Sequence, residues 1–291
     1  MGDRALVTGF TWAEGGVRLH LWAGDPPVPD QRAITGAVCF RVLPGRHCTG
    51  YHDGEQRRPC PDRAECARGS TCDPCARRDA FRPCMTCDGF RCPRLSSEML
   101  DYCRQTHHLY LACFGDETIK VGTASDGRRE QRIVEQGPLA ASRIAAAEGP
   151  TIKRMEHLLS SAGLSETMRR SRKTALLQGA MSEATARARV RDAASQVRSL
   201  LPAEYHPFLH PPVDVPQPEL ARRTRGLSVN ELRLEPDRVV EGTVVGAIGH
   251  LVFVEEPDGR FAFDVGELKG RRIEWDPEGP RRKPQVQLGL F

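Results

Sequence analysis

Residues 107–137, HHLYLACFGDETIKVGTASDGRREQRIVEQG, and residues 149–159, GPTIKRMEHLL, decide how the chain is read. Leu109–Phe114 and Thr118–Gly122 carry β-branched and aromatic residues on either side of Gly115-Asp116-Glu117, the pattern of a tight hairpin. Arg128–Gln136 then reads as a helix stopped by Gly137-Pro138. Leu139–Ala147 reads as a third strand, weakened by its alanines. A second helix opens at Gly149-Pro150, with proline in the first turn, where its missing N–H costs nothing.

A Tyr-bearing strand, a Gly-ending strand, a helix with an Arg and a later helix with a Glu follow one another in this stretch. That order resembles the GIY-YIG nuclease domain. His108-Leu109-Tyr110 stands at the GIY position, Lys120-Val121-Gly122 at the YIG position, and Arg132 and Glu156 at the helical Arg and Glu. The resemblance implies a phosphodiesterase site in which Glu156 holds Mg²⁺ or Mn²⁺ that polarises the phosphate. Arg132 would add an always-protonated fork matched to phosphate geometry, and Tyr110 and Lys120 would position the attacking water. The chain departs from the family pattern at two places: Lys120 replaces the second tyrosine, and His108 the first glycine. Each residue also has a plainer role. Tyr110 fits a core, Arg132 fits a solvated helix face, and Glu156 is three residues from Lys153, a helix-surface pairing distance.

Upstream, residues 44–106 hold nine of the eleven cysteines. Disulfides are rare inside cells, so metal binding is the economical explanation. Cys72/Cys75 and Cys84/Cys87 have the C-x-x-C spacing that lets one tight turn present two thiolates to a tetrahedral ion. Two structural Zn²⁺ sites are expected, one at Cys48, Cys60, Cys72 and Cys75, the other at Cys84, Cys87, Cys92 and Cys103. Cys66 is spare, and His107 is an alternative to Cys103. The segment is poor in apolar residues, so the metals would contribute folding free energy directly. An iron–sulfur cluster also uses four cysteines, but these separated turns suit zinc better. Cys39 and Cys113, in strand-like sequence, read as buried thiols.

At its start the chain reads as a β unit over residues 1–43, with Ala5–Phe10 and Val17–Trp22 around Glu14-Gly15-Gly16, a loop at Asp25–Pro29 and a strand at Ile34–Leu43. Residues 107–201 read as the nuclease-like core with a helical extension over Ala162–Leu201, and 202–226 as a proline-rich linker or extended wrap. Residues 227–275 read as five short strands with turns at Gly246–Gly249 and Pro257-Asp258-Gly259, the spacing of a small SH3- or OB-like barrel. The fold class expected is therefore α+β in several domains. Residues 276–291 read as a flexible tail ending Gln287-Leu288-Gly289-Leu290-Phe291. That ending resembles the bacterial sliding-clamp-binding pentapeptide, which implies that Gln287, Leu288, Leu290 and Phe291 dock into a groove of the clamp.

Charge points toward the same kind of partner. Between Lys120 and Leu200 there are 15 Lys and Arg against 8 Asp and Glu, a net of +7, while Val213–Phe291 has 12 against 14, a net of −2. Concentrated positive charge suits a polyanionic partner, because neutralising phosphates releases condensed counterions, and the clamp-like ending makes DNA the nucleic acid expected. No apolar run approaches the roughly 20 residues a membrane span needs, and no signal peptide is read at Met1-Gly2-Asp3-Arg4, so a cytoplasmic, membrane-free protein is expected. Taken whole, from about Cys48 to Gly179, the chain resembles an uncharacterised bacterial family of unknown function in which cysteine clusters precede a GIY-YIG-like segment. Lys120-Val-Gly-Thr, Arg132-Ile-Val-Glu-Gln-Gly137 and Arg172-Lys-Thr carry that resemblance. Three functions follow: a zinc-stabilised, metal-dependent DNA endonuclease or structure-specific DNA-processing protein recruited by the clamp, a nucleic-acid-binding zinc protein without the chemistry, or a zinc-dependent protein-interaction scaffold.

Overall fold

Alternating apolar residues at Val7, Leu19, Leu21, Val38, Phe40 and Val42 bury one face of their strands completely or nearly so, and each strand then needs partners on both edges. The computed structural model, which describes residues 3–13, 15–92, 95–165, 167 and 181–276, shows how those edges are satisfied. The fold is mixed α/β, mostly sheet with few helices, and forms two units, Met1–Asp79 with Pro218–Phe291, and Ala80–Gln217.

In the first unit, Arg4–Ala13 pairs with Gly16–Ala23, which pairs with Val28–Ile34. Val239–Ile248, Leu251–Glu256 and Gly259–Asp264 form a second antiparallel run, with Asn230–Glu231 parallel at its edge. Ala37–Val42 joins the two runs, bonding Val239–Thr243 on one side and Ile273–Trp275 on the other, while Arg272–Trp275 continues onto Arg4. The expected barrel over 227–275 and separate β unit over 1–43 therefore give way to one open nine-stranded sheet. The physical reason is that Ala37–Val42 buries Phe40 edge-to-face against Phe263 and Trp275, at 6.0 and 5.5 Å between centroids. Neither run would cover that side chain alone. The expected Gly246–Gly249 turn is also corrected: the strand runs on to Ile248 through a bulge at Gly246, where a Cβ would stand 2.7 Å from Thr224. The strand expected over Ile34–Leu43 is split by Gly36, which has φ +62°.

The second unit is built on a four-stranded antiparallel sheet in the order Leu209–Asp214, Ala140–Glu148, Thr106–Cys113, Ile119–Ser125. Leu109, Leu111, Cys113 and Val121 face the helices Gly149–Ser161 and Glu183–Leu200, burying Ile152, Met155, Leu159, Val190 and Val197. Burial of each such aliphatic side chain contributes about 1.5–3 kcal/mol. Tyr110, Ala112, Phe114 and Ala124 face the other way, with Ile133 and Val215. The helix expected over Arg128–Gln136 is shorter, a 3₁₀ turn Asp126–Arg128 and one helical turn Gln131–Val134, stopped by Gly137 at φ +69°. The expected proline linker supplies an edge strand instead. Pro211 and Pro212 cannot donate to a ladder, and the register shifts between Leu209 and Val213, as an edge position tolerates. The residues expected as a cysteine-rich segment, 44–106, divide between the units at Asp79. Among the described residues no helix is long and apolar enough to cross a membrane.

Candidate functional site

Cys48, Cys60, Cys72 and Cys75 converge in the first unit, their sulfurs all within 4.8 Å of one another. The local sequence explains how. Cys72 precedes the helix Asp73–Arg78, Pro74 occupies its first turn, and Cys75 follows fully buried. Cys48 lies on an opposed loop whose Gly50, at φ +82°, donates its N–H to Cys48 Sγ at 3.4 Å; the N–H of Cys72 donates to the same sulfur at 3.2 Å. A Cβ at Gly50 would overlap the Arg58 carbonyl, so the loop can close only over glycine. Cys60 Sγ stands 3.9 Å from Cys72 Sγ. Four thiolates around Zn²⁺ at about 2.3 Å are separated by about 3.8 Å, so the set could hold a metal ion such as zinc. Burial pushes the Cys48 thiol up to about 11. A cation shared by the four sulfurs would offset that cost. Cys66 packs beside the set, partly buried.

The other four cysteines expected as ligands belong to the second unit. Cys84 lies in the 3₁₀ turn Arg82–Thr86, with Cys87 capping it. Cys103 lies on the helix Ser97–Arg104, and Cys92 is exposed. Their sulfurs are not drawn together as tightly as those of the first set.

Tyr110 is fully buried on the strand Thr106–Cys113, directly across from Gly122. Its ring lies over the Gly122 Cα, where a Cβ would overlap Cζ and Oη. Burial raises the Tyr110 phenol to about 12, the Arg132 charge working against that rise and the Glu156 charge adding to it. Both charges therefore act on one hydroxyl, although Arg132 is on the turn Gln131–Val134 and Glu156 on the helix Gly149–Ser161. Arg132 is exposed. Glu156 has a side chain only 13% exposed, and its Oε2 accepts from Lys153 Nζ at 2.7 Å. Lys120 pairs with Ala112 on the Tyr110 face and is buried, which leaves little of it for an incoming phosphate. Among the described residues no group of three or more His, Cys, Asp or Glu donors gathers at Glu156.

A family sequence pattern described as "Protein of unknown function (DUF2797)" matches residues 44–273. The chain belongs to the DUF2797 family. The DUF2797 match starts four residues before Cys48 and ends within the strand Arg272–Trp275, so it takes in both cysteine sets, the whole of the second unit and part of the first. It leaves out Arg4–Ala13, Gly16–Ala23, Val28–Ile34 and Ala37–Val42, which nevertheless complete the first sheet. No curated protein matches the chain, and no solved structure does.

One pair near Tyr110 escapes sequence reading. His108 Nε2 lies 2.8 Å from Asp126 Oδ1, and Asp126 also accepts from Arg129 at 3.0 Å. The ring is buried, its Nδ1 without a partner. Its signal was the hairpin register: His108 opposite Ala124 puts Asp126 just past the strand end. The residues Gln287, Leu288, Leu290 and Phe291, and the Arg172-Lys-Thr string, lie outside the described residues.

Proposed function

We propose that this chain is a zinc-stabilised, divalent-metal-dependent DNA endonuclease of the GIY-YIG-like type, brought to DNA by a sliding clamp. What supports it is the Tyr110 ring packed on Gly122 across the hairpin, with the Arg132 and Glu156 charges the two that bear on its hydroxyl. The net +7 of residues 120–200 adds an electrostatic reason for a polyanion to settle on this unit.

In this reading the exposed Arg132 binds the scissile phosphate through its guanidinium fork. Tyr110 stays a neutral phenol at physiological pH, since its ionisation is pushed to about 12. It therefore orients the attacking water by hydrogen bonding and does not remove the proton as phenolate. Glu156 is the ligand for a catalytic Mg²⁺ or Mn²⁺, which would polarise the phosphate and stabilise the leaving oxygen. With Glu156 as one carboxylate donor, that ion keeps most of its coordination for water and phosphate, as magnesium prefers. Zinc at Cys48, Cys60, Cys72 and Cys75 is structural, because four protein thiolates leave no open position for substrate. The tail QLGLF, residues 287–291, would fill the clamp's apolar groove.

A second reading is favoured by the 2.7 Å Lys153–Glu156 pair and the lysine in place of the second tyrosine: nucleic-acid binding without cleavage. One experiment separates the two. Labelled branched, nicked and single-stranded DNAs are incubated with wild-type protein and Glu156→Ala in Mg²⁺ or Mn²⁺. Cutting that disappears in the variant is the result expected. Absence of cutting with salt-dependent binding unchanged by the substitution refutes the enzyme and leaves the binding protein.

A further inference from the structure

The loop Cys84–Cys92 repeats, residue for residue, a local geometry of the four-cysteine set. In Cys48-Thr49-Gly50 the glycine N–H donates to Cys48 Sγ at 3.4 Å with φ +82°. In Cys87-Asp88-Gly89 the glycine N–H donates to Cys87 Sγ at 3.4 Å, also with φ +82°. A backbone N–H aimed at sulfur stabilises a thiolate, the form a metal binds, much more than a thiol. The turn is closed at its other side by Cys87 N–H donating to the Cys84 carbonyl at 3.3 Å, which sets the C-x-x-C pair on one side of the loop.

We propose that Cys84, Cys87, Cys92 and Cys103 bind a second ion of the zinc type, and that this ion fastens the loop onto the helix Gly149–Ser161.

Three further observations support it. Gly89 of the loop closes on Pro150 and Arg154, and the Cys103 carbonyl closes on Gly149, so the turn, the loop and the helix that carry the four cysteines meet at the first turns of one helix. Within residues 80–92 the only buried residue is Gly89, and the aromatic contacts, Phe81 edge-to-face on Tyr102 at 5.5 Å and Phe90 on His157, leave both rings partly exposed, so no enclosed apolar core holds this segment. Ordering a dozen residues without a core costs about 1–2 kcal/mol each in backbone entropy, and a metal cross-link is the means by which small cysteine loops offset it. The loop also has a defined seat. The Gly89 carbonyl accepts from Arg154 Nε at 2.7 Å, Arg154 lies 5.7 Å over the Phe90 ring, and Phe90 meets His157 edge-to-face at 5.8 Å. A Cβ at Gly89 would overlap the Pro150 carbonyl and stand 2.7 Å from the Arg154 nitrogen. At the fourth ligand, the Cys103 carbonyl crowds Gly149, where a Cβ would stand 2.6 Å away. The ion therefore ties both the loop and the helix Ser97–Arg104 to the first turns of one helix.

That helix carries Lys153, which pairs with Glu156 and also acts on the sulfurs of Cys84 and Cys103. Glu156 is thereby held on an element that the second ion steadies. The metal site itself stands whether or not the protein cuts DNA.

The test uses the full chain. Metal content by mass spectrometry is expected to be two zinc per chain for wild type, and one for either Cys75→Ser or Cys84→Ser. One zinc in wild type, retained by Cys84→Ser, overturns the proposal; so does a visible iron–sulfur band that Cys84→Ser abolishes. Because a cysteine variant can misfold, the wild type carries a second measurement. The exposed Cys92 is expected to be alkylated slower by roughly an order of magnitude with zinc bound than after chelation. Residues 149–161 are expected to exchange deuterium faster once the metal is removed. An alkylation rate at Cys92 indifferent to zinc refutes the site.

Discussion

Gly122→Ala tests the contact on which the Tyr110 site is built. Gly122 sits mid-strand without a positive φ, so alanine can adopt its backbone, and on backbone entropy alone the change would stabilise by about 0.5–1 kcal/mol. The new Cβ, however, overlaps Cζ and Oη of Tyr110 and stands 3.0 Å from Cε1. The ring cannot retreat, since it is 2% exposed and enclosed with Ala112, Phe114, Ile133 and Val215. Overpacking of this kind costs about 1–3 kcal/mol, and overlap with two ring atoms at once puts this case at the upper end, so with the entropic gain subtracted a net loss of about 2 kcal/mol is expected. At roughly 2–4 °C per kcal/mol, Tm falls by about 4–8 °C. Thermal unfolding by far-UV circular dichroism measures it, and deuterium exchange of the peptides over 106–125 localises it. Tyr110→Ala in the same chain vacates the space the methyl needs, so the double variant should recover about the same 2 kcal/mol as coupling. A Tm within about 1 °C of wild type, or additivity with Tyr110→Ala, refutes the packing argument.

Chelating the four-cysteine site should red-shift tryptophan emission, because Trp22 Nε1 donates to the Thr49 carbonyl at 3.1 Å, one residue from Cys48; unchanged emission with zinc gone would contradict it. Asp214→Asn removes an acceptor held by Ser142 at 2.6 Å and by Arg187 and Arg191 at 3.2 Å each, at a cost of about 1–2 kcal/mol at neutral pH. The Ser142 hydrogen bond, ahead of the arginine charges, holds the Asp214 pKa below its ordinary value. Its contribution is therefore present above the unfolded pKa of about 3.9 and is lost as pH falls below it. The gap in urea midpoint between wild type and variant should thus close in acid, and a gap equal at pH 7 and pH 3 would count against it. Ser182→Ala deletes the cap that accepts from Thr185 N–H at 3.1 Å, costing about 1 kcal/mol, whereas Ser182→Asp keeps an acceptor and should cost little. Equal unfolding midpoints for the two variants would remove the cap from the account.

Features written in short-range pattern could be read from the chain alone. The hairpin around Gly115-Asp116, the helix opening at Gly149-Pro150 and the Lys153–Glu156 spacing each close within a few residues. So does the turn that presents Cys72 and Cys75 together. Their geometry is set by φ preferences and by the 3.6 and 2.0 periods, which a sequence displays directly. The proline run at 202–218 misled for a related reason: proline forbids a central strand but allows an edge strand, and only the sheet says which edge is free.

The sequence by itself determined the hairpin strands on either side of Gly115-Asp116, which cysteines form paired arms, and that a tyrosine-bearing strand faces a glycine-ending one. Tertiary structure alone decided that Ala37–Val42 lies between Val239–Ile248 and Arg272–Trp275, making one open sheet of what reads as two modules. It also decided that Cys48 and Cys60 meet Cys72 and Cys75, and that His108 reaches Asp126. The reason is common to all three. An amphipathic strand advertises a buried face and two unsaturated edges but not the partner for either, and that choice is made by which distant side chains can be buried together.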